Sequence, residues 1–170
     1  MSEPAKTAFD LPEADLDDSD RAVLQHVTEF GWHVVLVPED KEGPGFAFTV
    51  GLFHTYGHPE LIVVGLGPIE PECLSQIVLN DLGVRIDEGE RFSGGDQVSG
   101  TLEGYDVRFE AVAESNYAAF VGSAVWFYRR NPFPLLQVLW PDKRKRFPGD
   151  PNCPKGMLKH QPRLKEPQTA

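Results

Sequence analysis

Three side chains able to do chemistry stand close together in this sequence: His54, His58 and Glu60. Imidazole and carboxylate are ligands for zinc or iron, and His33, placed across a hairpin, is a fourth weak metal candidate. A His-x3-His spacing would align two rings on a helix. Tyr56-Gly57 and Pro59 argue against a helix here, which removes the geometric force of the spacing. The favoured reading is a polar loop in which His58 and Glu60 satisfy backbone groups. Thr49 and Gly51 interrupt an apolar stretch. A strand glycine permits close approach by a ligand or by a packed aromatic such as Trp32 or Phe48, and a neighbouring hydroxyl would hold a phosphate or carbonyl. Gln137, Trp140 and Asp142 end the last apolar run at a proline turn. They would line an apolar pocket with a convergent polar group, or Trp140 would cap the core while Asp142 starts an Asx turn. The candidate ligand-binding set is therefore Thr49, His54, His58, Glu60, Gln137, Trp140 and Asp142.

Nucleophilic catalysis finds no motif: there is no GxSxG, and neither Cys73 nor Cys153 has a histidine near it in sequence. Cys73 falls at an apolar helical position, as a buried, inert thiol would. Glu110 and Glu114 are a carboxylate pair only if the fold makes them one. Gly94-Gly95 lacks the strand, helix and lysine of a phosphate loop. No catalytic residue and no cofactor is assigned.

The elements that must position these residues follow from periodicity and turn chemistry. Ser19 or Asp20 caps a helix over 19–30, with Val23, Leu24, Val27 and Phe30 at helical spacing and Gly31 at its end. Trp32–Val37 and Phe46–Leu52 form a hairpin around the dense turn signal of residues 38–45. Glu60–Leu66 is a continuous apolar strand, which implies burial on both faces. Ile69, Cys73, Ile77 and Leu79 predict a helix from Pro68 to about Asn80, ended by Asn80–Gly83. Residues 87–100 are polar and glycine-rich, a loop with a short strand at Arg91–Phe92. A turn at Glu103-Gly104 joins two further strands, one at Thr101–Leu102 and one at Tyr105–Val112. Asn116 starts a helix to Tyr128, broken by Pro132 and Pro134, and Leu135–Trp140 is the last strand. This order lacks regular βαβ alternation, so the expectation is α+β: a curved, mostly antiparallel sheet, open or closed in part into a barrel, with about three helices.

The chain of 170 residues fits one domain with flexible ends: an acidic, disordered arm over 1–18, the domain over 19–148, and a basic, proline-rich tail over 149–170. The net charge of −10 is divided, with −6 in residues 1–20, −10 in residues 21–142 and +6 in residues 143–170. An acidic body repels phosphate backbones and makes nucleic acid an improbable partner. Lys143–Arg146 then reads as a solvated basic turn, and the basic tail is free to lie on the acidic arm or on the acidic body. No apolar run reaches the ~20 residues of a membrane span. The N-terminus has no apolar signal segment, and two lone cysteines outside any CxxC suit a cytoplasmic location.

Three stretches together carry a resemblance: Glu29-Phe-Gly-Trp-His-Val-Val35; Phe46-Ala-Phe-Thr-Val-Gly-Leu52 running into Gly57-His-Pro-Glu-Leu61 and Gly65-Leu66; and Leu136-Gln-Val-Leu-Trp-Pro-Asp142 with Phe147-Pro148 and Gln161-Pro-Arg-Leu164. From about Asp20 to Leu164 the chain resembles the bacterial family catalogued as domain of unknown function 4262. The resemblance implies a soluble bacterial protein and no reaction. Two functional classes follow. The first is a binding domain for a small molecule or a protein partner, with a regulatory role. The second is an enzyme, either a flavin-binding oxidoreductase on a split barrel or a metal-dependent one using His54, His58 and Glu60.

Overall fold

A computed structural model describes residues 7–167 apart from 67, 70 and 71. Helix α1 (Asp18–Phe30) is followed by strands β1 (His33–Val37) and β2 (Phe46–Val50), a short helix α2 (Leu52–Tyr56) and strand β3 (Glu60–Val64). A small ladder, β4 (Pro68–Ile69) with β5 (Glu72–Cys73), leads into α3 (Leu74–Asp87). Strands β6 (Gln97–Leu102) and β7 (Tyr105–Ala111), short helices α4 (Tyr117–Phe120) and α5 (Gly122–Phe127), strand β8 (Leu135–Leu139) and helix α6 (Met157–His160) complete the order.

Six strands form one open sheet in the order β1-β2-β3-β8-β7-β6. All its pairs are antiparallel except β3 with β8, where Glu60 lies opposite Leu135 and Ile62 opposite Gln137. The α+β class therefore holds, and the sheet does not close into a barrel. Side chains alternate between two cores. Phe48, Val50, Ile62, Val64 and Leu135 meet Val23 and Val27 of α1 and Ala124 and Phe127 of α5 on one face. Ala47, Leu61, Val63, Phe109 and Val138 meet Val78, Leu79, Leu82 and Ile86 of α3 on the other. Covered on both faces, β3 and β8 are buried along their whole length, as the unbroken apolar runs require.

Several elements depart from expectation for identifiable reasons. Helix α3 begins later than Pro68 and continues through Gly83 to Asp87. Gly83 does not end it, because the Trp32 ring packs on this glycine so closely that a Cβ would lie 2.5 Å from it. The residues past Asn116 form two short helices, with Val121 between them off the helical conformation. Phe92 is buried and Arg91–Phe92 form no strand, while the strand expected at Thr101–Leu102 begins earlier, at Gln97. From Thr7 on, the acidic arm is folded. Thr7 and Asp10 cap a 3-10 turn reciprocally, and Ala8 lies in the α1-side core. Residues 1–6 of that arm lie outside the described residues. The segment after 148 also packs on the sheet, with Gln161 and Leu164 fully buried.

Candidate functional site

Glu60 opens β3 and is completely buried. Its Oε1 accepts from Thr49 Oγ1 at 2.8 Å and from Leu52 N at 3.1 Å. Oε2 accepts from Gly51 N at 2.9 Å, from Phe53 N at 3.2 Å and from the Tyr128 hydroxyl. This carboxylate reaches back to the three amides that open α2, where helix N–H groups have no partner of their own. That capping is why residues 52–56 form a helical turn and not the loop that Gly57 and Pro59 suggest. Gly51 makes the entry possible. Its φ of +112° is a left-handed one, and a Cβ there would meet Val27 Cγ2 at 2.8 Å.

Burial pushes the Glu60 carboxyl up, against the opposing pull of Tyr128, Thr49 and the Phe53 and Gly51 amides. All five neighbours donate to it. Tyr128 accepts in turn from His54 N at 3.1 Å, and Thr49 Oγ1 from Leu61 N at 2.9 Å. Three of the five neighbours are backbone amides that can only donate, and these favour the ionised form against the upward push of burial. Burial, followed by the charge of Glu60, holds the Tyr128 phenol far above its ordinary range.

The structure thus joins Thr49 and Glu60 and separates the other candidates. The His54 ring lies against Phe9 and Phe127, with its centroid 5.3 Å and 5.8 Å from theirs. His58 is buried and uses both ring nitrogens: Nδ1 lies 2.8 Å from Pro59 O, and Nε2 accepts from Phe92 N at 3.0 Å. Burial pushes its pKa down, which suits a ring that must keep a lone pair for Phe92. His33 stands with His26 instead of the other candidates. No group of three or more His, Cys, Asp or Glu among the described residues is placed to hold a metal ion.

Gln137, Trp140 and Asp142 act on the C-terminal segment and its approach. Gln137 donates to Pro162 O at 2.8 Å and accepts from Leu164 N at 2.7 Å. The Trp140 backbone is matched by the Gln161 amide, which accepts from Trp140 N and donates to Trp140 O, both at 2.8 Å. The indole of Trp140 donates to Val64 O at 2.8 Å. Asp142 accepts from the amides of Arg144 and Arg146 and from the Arg146 guanidinium, a turn held by one carboxylate. Asn116 adds bonds to Leu164 O and Glu166 O. Sequence reasoning missed Tyr128, whose position at the end of α5 carries no signal of its own. It had a pointer to Gln161 and Leu164, since both stand in the motif that carries the resemblance.

The chain belongs to the family described as Domain of unknown function (DUF4262). The family model matches residues 26–154. Among curated proteins and among solved structures, none matches the chain. The span matched by DUF4262 holds every residue around Glu60 and ends before Gln161, so the C-terminal clamp lies outside it.

The open space in this DUF4262 member is elsewhere. A cavity of about 580 Å³ lies at the far end of β1, β2 and β3, with Leu36, Val37, Phe46 and Leu66 among its apolar walls. Glu39, Cys73, Ser75 and His160 supply its polar side chains, and Cys73 Sγ lies 3.1 Å from Ser75 Oγ. Gly65, also in the wall, has φ +80°. A Cβ there would fall 1.7 Å from His160 O, so α6 closes against bare backbone.

Proposed function

We propose that the protein is a binding domain that takes a small, mostly apolar molecule, with one hydrogen-bonding end, in the cavity beside Cys73 and His160. One observation carries this reading. The cavity of about 580 Å³ has the size and mixed lining of a small-molecule site, apolar over most of its wall, with Glu39 after β1 and Cys73, Ser75 and His160 as its few polar side chains. By contrast, among the described residues no buried side-chain polar atom is left without a partner, so the polar interior offers a ligand nothing. Leu36, on the edge strand and 45% exposed, is an apolar side chain that a bound molecule would cover.

Trp140 provides the readout, because its ring lies beside Gly65 in the cavity wall. Titration with the amphiphilic dye anilinonaphthalene sulfonate is expected to saturate at one site, with a change in indole emission that is lost in Trp140→Phe. Leu36→Asp should weaken the dye at least about tenfold, the worth of one apolar side chain's burial, without unfolding the protein. Saturable binding indifferent to Leu36→Asp, or no saturable binding, would overturn the reading.

A further inference from the structure

A second group of chemically able side chains shares no hydrogen bond with Glu60 and lines no wall of the cavity. His26, near the end of α1, and His33, the first residue of β1, bring their Nδ1 atoms to 2.6 Å. Their ring centroids are 4.8 Å apart and the planes 28° from parallel, so the rings meet edge to edge with the two Nδ1 atoms between them. At that separation two imidazoles hold one proton between them, donated by one Nδ1 and accepted by the other. Neither ring makes another hydrogen bond among the described residues, and both are half-buried. Burial, followed by the neighbouring His26, pushes the His33 ring below its ordinary range.

Both rings stand on fixed elements. Helix α1 ends at Gly31, whose N–H donates to Val27 O at 2.9 Å. Trp32, between the helix and the strand, is held by its indole bond to Asn80 Oδ1 at 3.0 Å and by its packing on Gly83. His33 lies opposite Val50 in the β1–β2 ladder. Two nitrogen lone pairs presented to one point by rigid elements are the beginning of a metal site.

We propose that His26 and His33 bind a borderline divalent cation, zinc or copper(II), through their Nδ1 atoms; the shared proton moves to Nε2 of the donating ring, and water keeps the ion's remaining positions. Imidazole selects this class of ion, and the absence of a carboxylate from the pair disfavours calcium and magnesium. Bonds of about 2.0–2.1 Å in a tetrahedral shell set two donor nitrogens roughly 3.3 Å apart. The nitrogens therefore need to part by less than about 1 Å, and the rings, which meet almost head-on, to tilt so that both lone pairs converge on the ion. With two protein ligands the site is open, and the bound ion keeps exchangeable positions. The inference does not rest on the cavity, and neither proposal falls with the other.

The test is a titration of the full chain with zinc chloride at neutral pH, followed through the ring nitrogen resonances of its five histidines. The expected result is a saturable shift confined to His26 and His33. In His26→Gln the affinity should fall at least about tenfold, with the backbone spectrum otherwise retained. Shifts centred on His54, His58 or His160, no saturable shift, or an unchanged affinity in His26→Gln would overturn the proposal. The wild-type ring shifts decide the question even if a variant fails to fold.

Discussion

The two ends of β2 and β3 make opposite use of the same pair of strands. At the Thr49–Glu60 end, a charged side chain is sealed in and every polar atom around it is paired. At the Phe46–Val64 end the strands run out into an apolar cavity bounded by Leu36, Leu66 and α6. The residues that look most reactive therefore hold the chain together, and ordinary apolar residues enclose the space a ligand would need. A chemically able side chain in the sequence is as good a sign of internal scaffolding as of a site, until its partners are known.

The sharpest way to break this comparison is to delete the buried charge. Glu60→Ala strips the partner from Thr49, Tyr128 and the amides of Gly51, Leu52 and Phe53. It should cost at least about 3 kcal/mol in urea denaturation, since each buried donor left unpaired carries its own desolvation penalty. A loss under about 1 kcal/mol would mean that this end is not a structural hub. Gly65→Ala acts at the other end, where the new methyl must displace His160 O against a left-handed φ. About 2 kcal/mol or more is expected there, read as a lowered melting temperature. Tyr128→Phe removes one donor from Glu60 and leaves four, and about 1–2 kcal/mol is expected in the same assay.

The smallest effect is a pH dependence. His58 and His33 both have pKa values lowered by burial, so below the ordinary value near 6.5 the unfolded chain binds more protons than the folded one. Their contribution is complete above about pH 6.5 and is lost as the pH falls towards the lowered folded values. Urea midpoints should therefore decline from about pH 7 to about pH 5, and less steeply in a His33→Gln variant. A midpoint flat over that interval would contradict the neutral, hydrogen-bonded state of these rings.

What could be read from the sequence was whatever local chemistry decides. The 32–52 hairpin, the helix ending at Gly31, the buried 60–66 run and the Glu103-Gly104 turn all carry their signals within a few residues. Asp142 also proved to be a turn carboxylate, one of the two roles its position suggested. Where the reading failed, the deciding partner lay far along the chain or on the unexpected side. Helix α2 is capped by a residue that follows it, and sequence rules look for the cap before it. Helix α3 was misplaced because Ile77 and Val84 are exposed, which blurs its apolar period, and because Trp32 selects Gly83. The histidines were grouped by nearness in sequence, so His58 was counted with His54, while His26, the real neighbour of His33, was passed over.

The docking of Leu164 has a consequence for how the protein is made. Leu164 belongs to the α1-side core, and its backbone is held by Gln137, Ala113 and Asn116. Synthesis runs from the N-terminus, and domains fold as their residues emerge. A nascent chain can assemble the Glu60 carboxylate with α2 early, because those partners other than Tyr128 lie within twelve positions of one another. It cannot finish that core until residues 161–164 have left the ribosome. A stretch translated after every strand of the sheet is thus the latch of the core, and up to that moment the apolar edge around Val112 and Leu135 is open to chaperones and to other nascent chains.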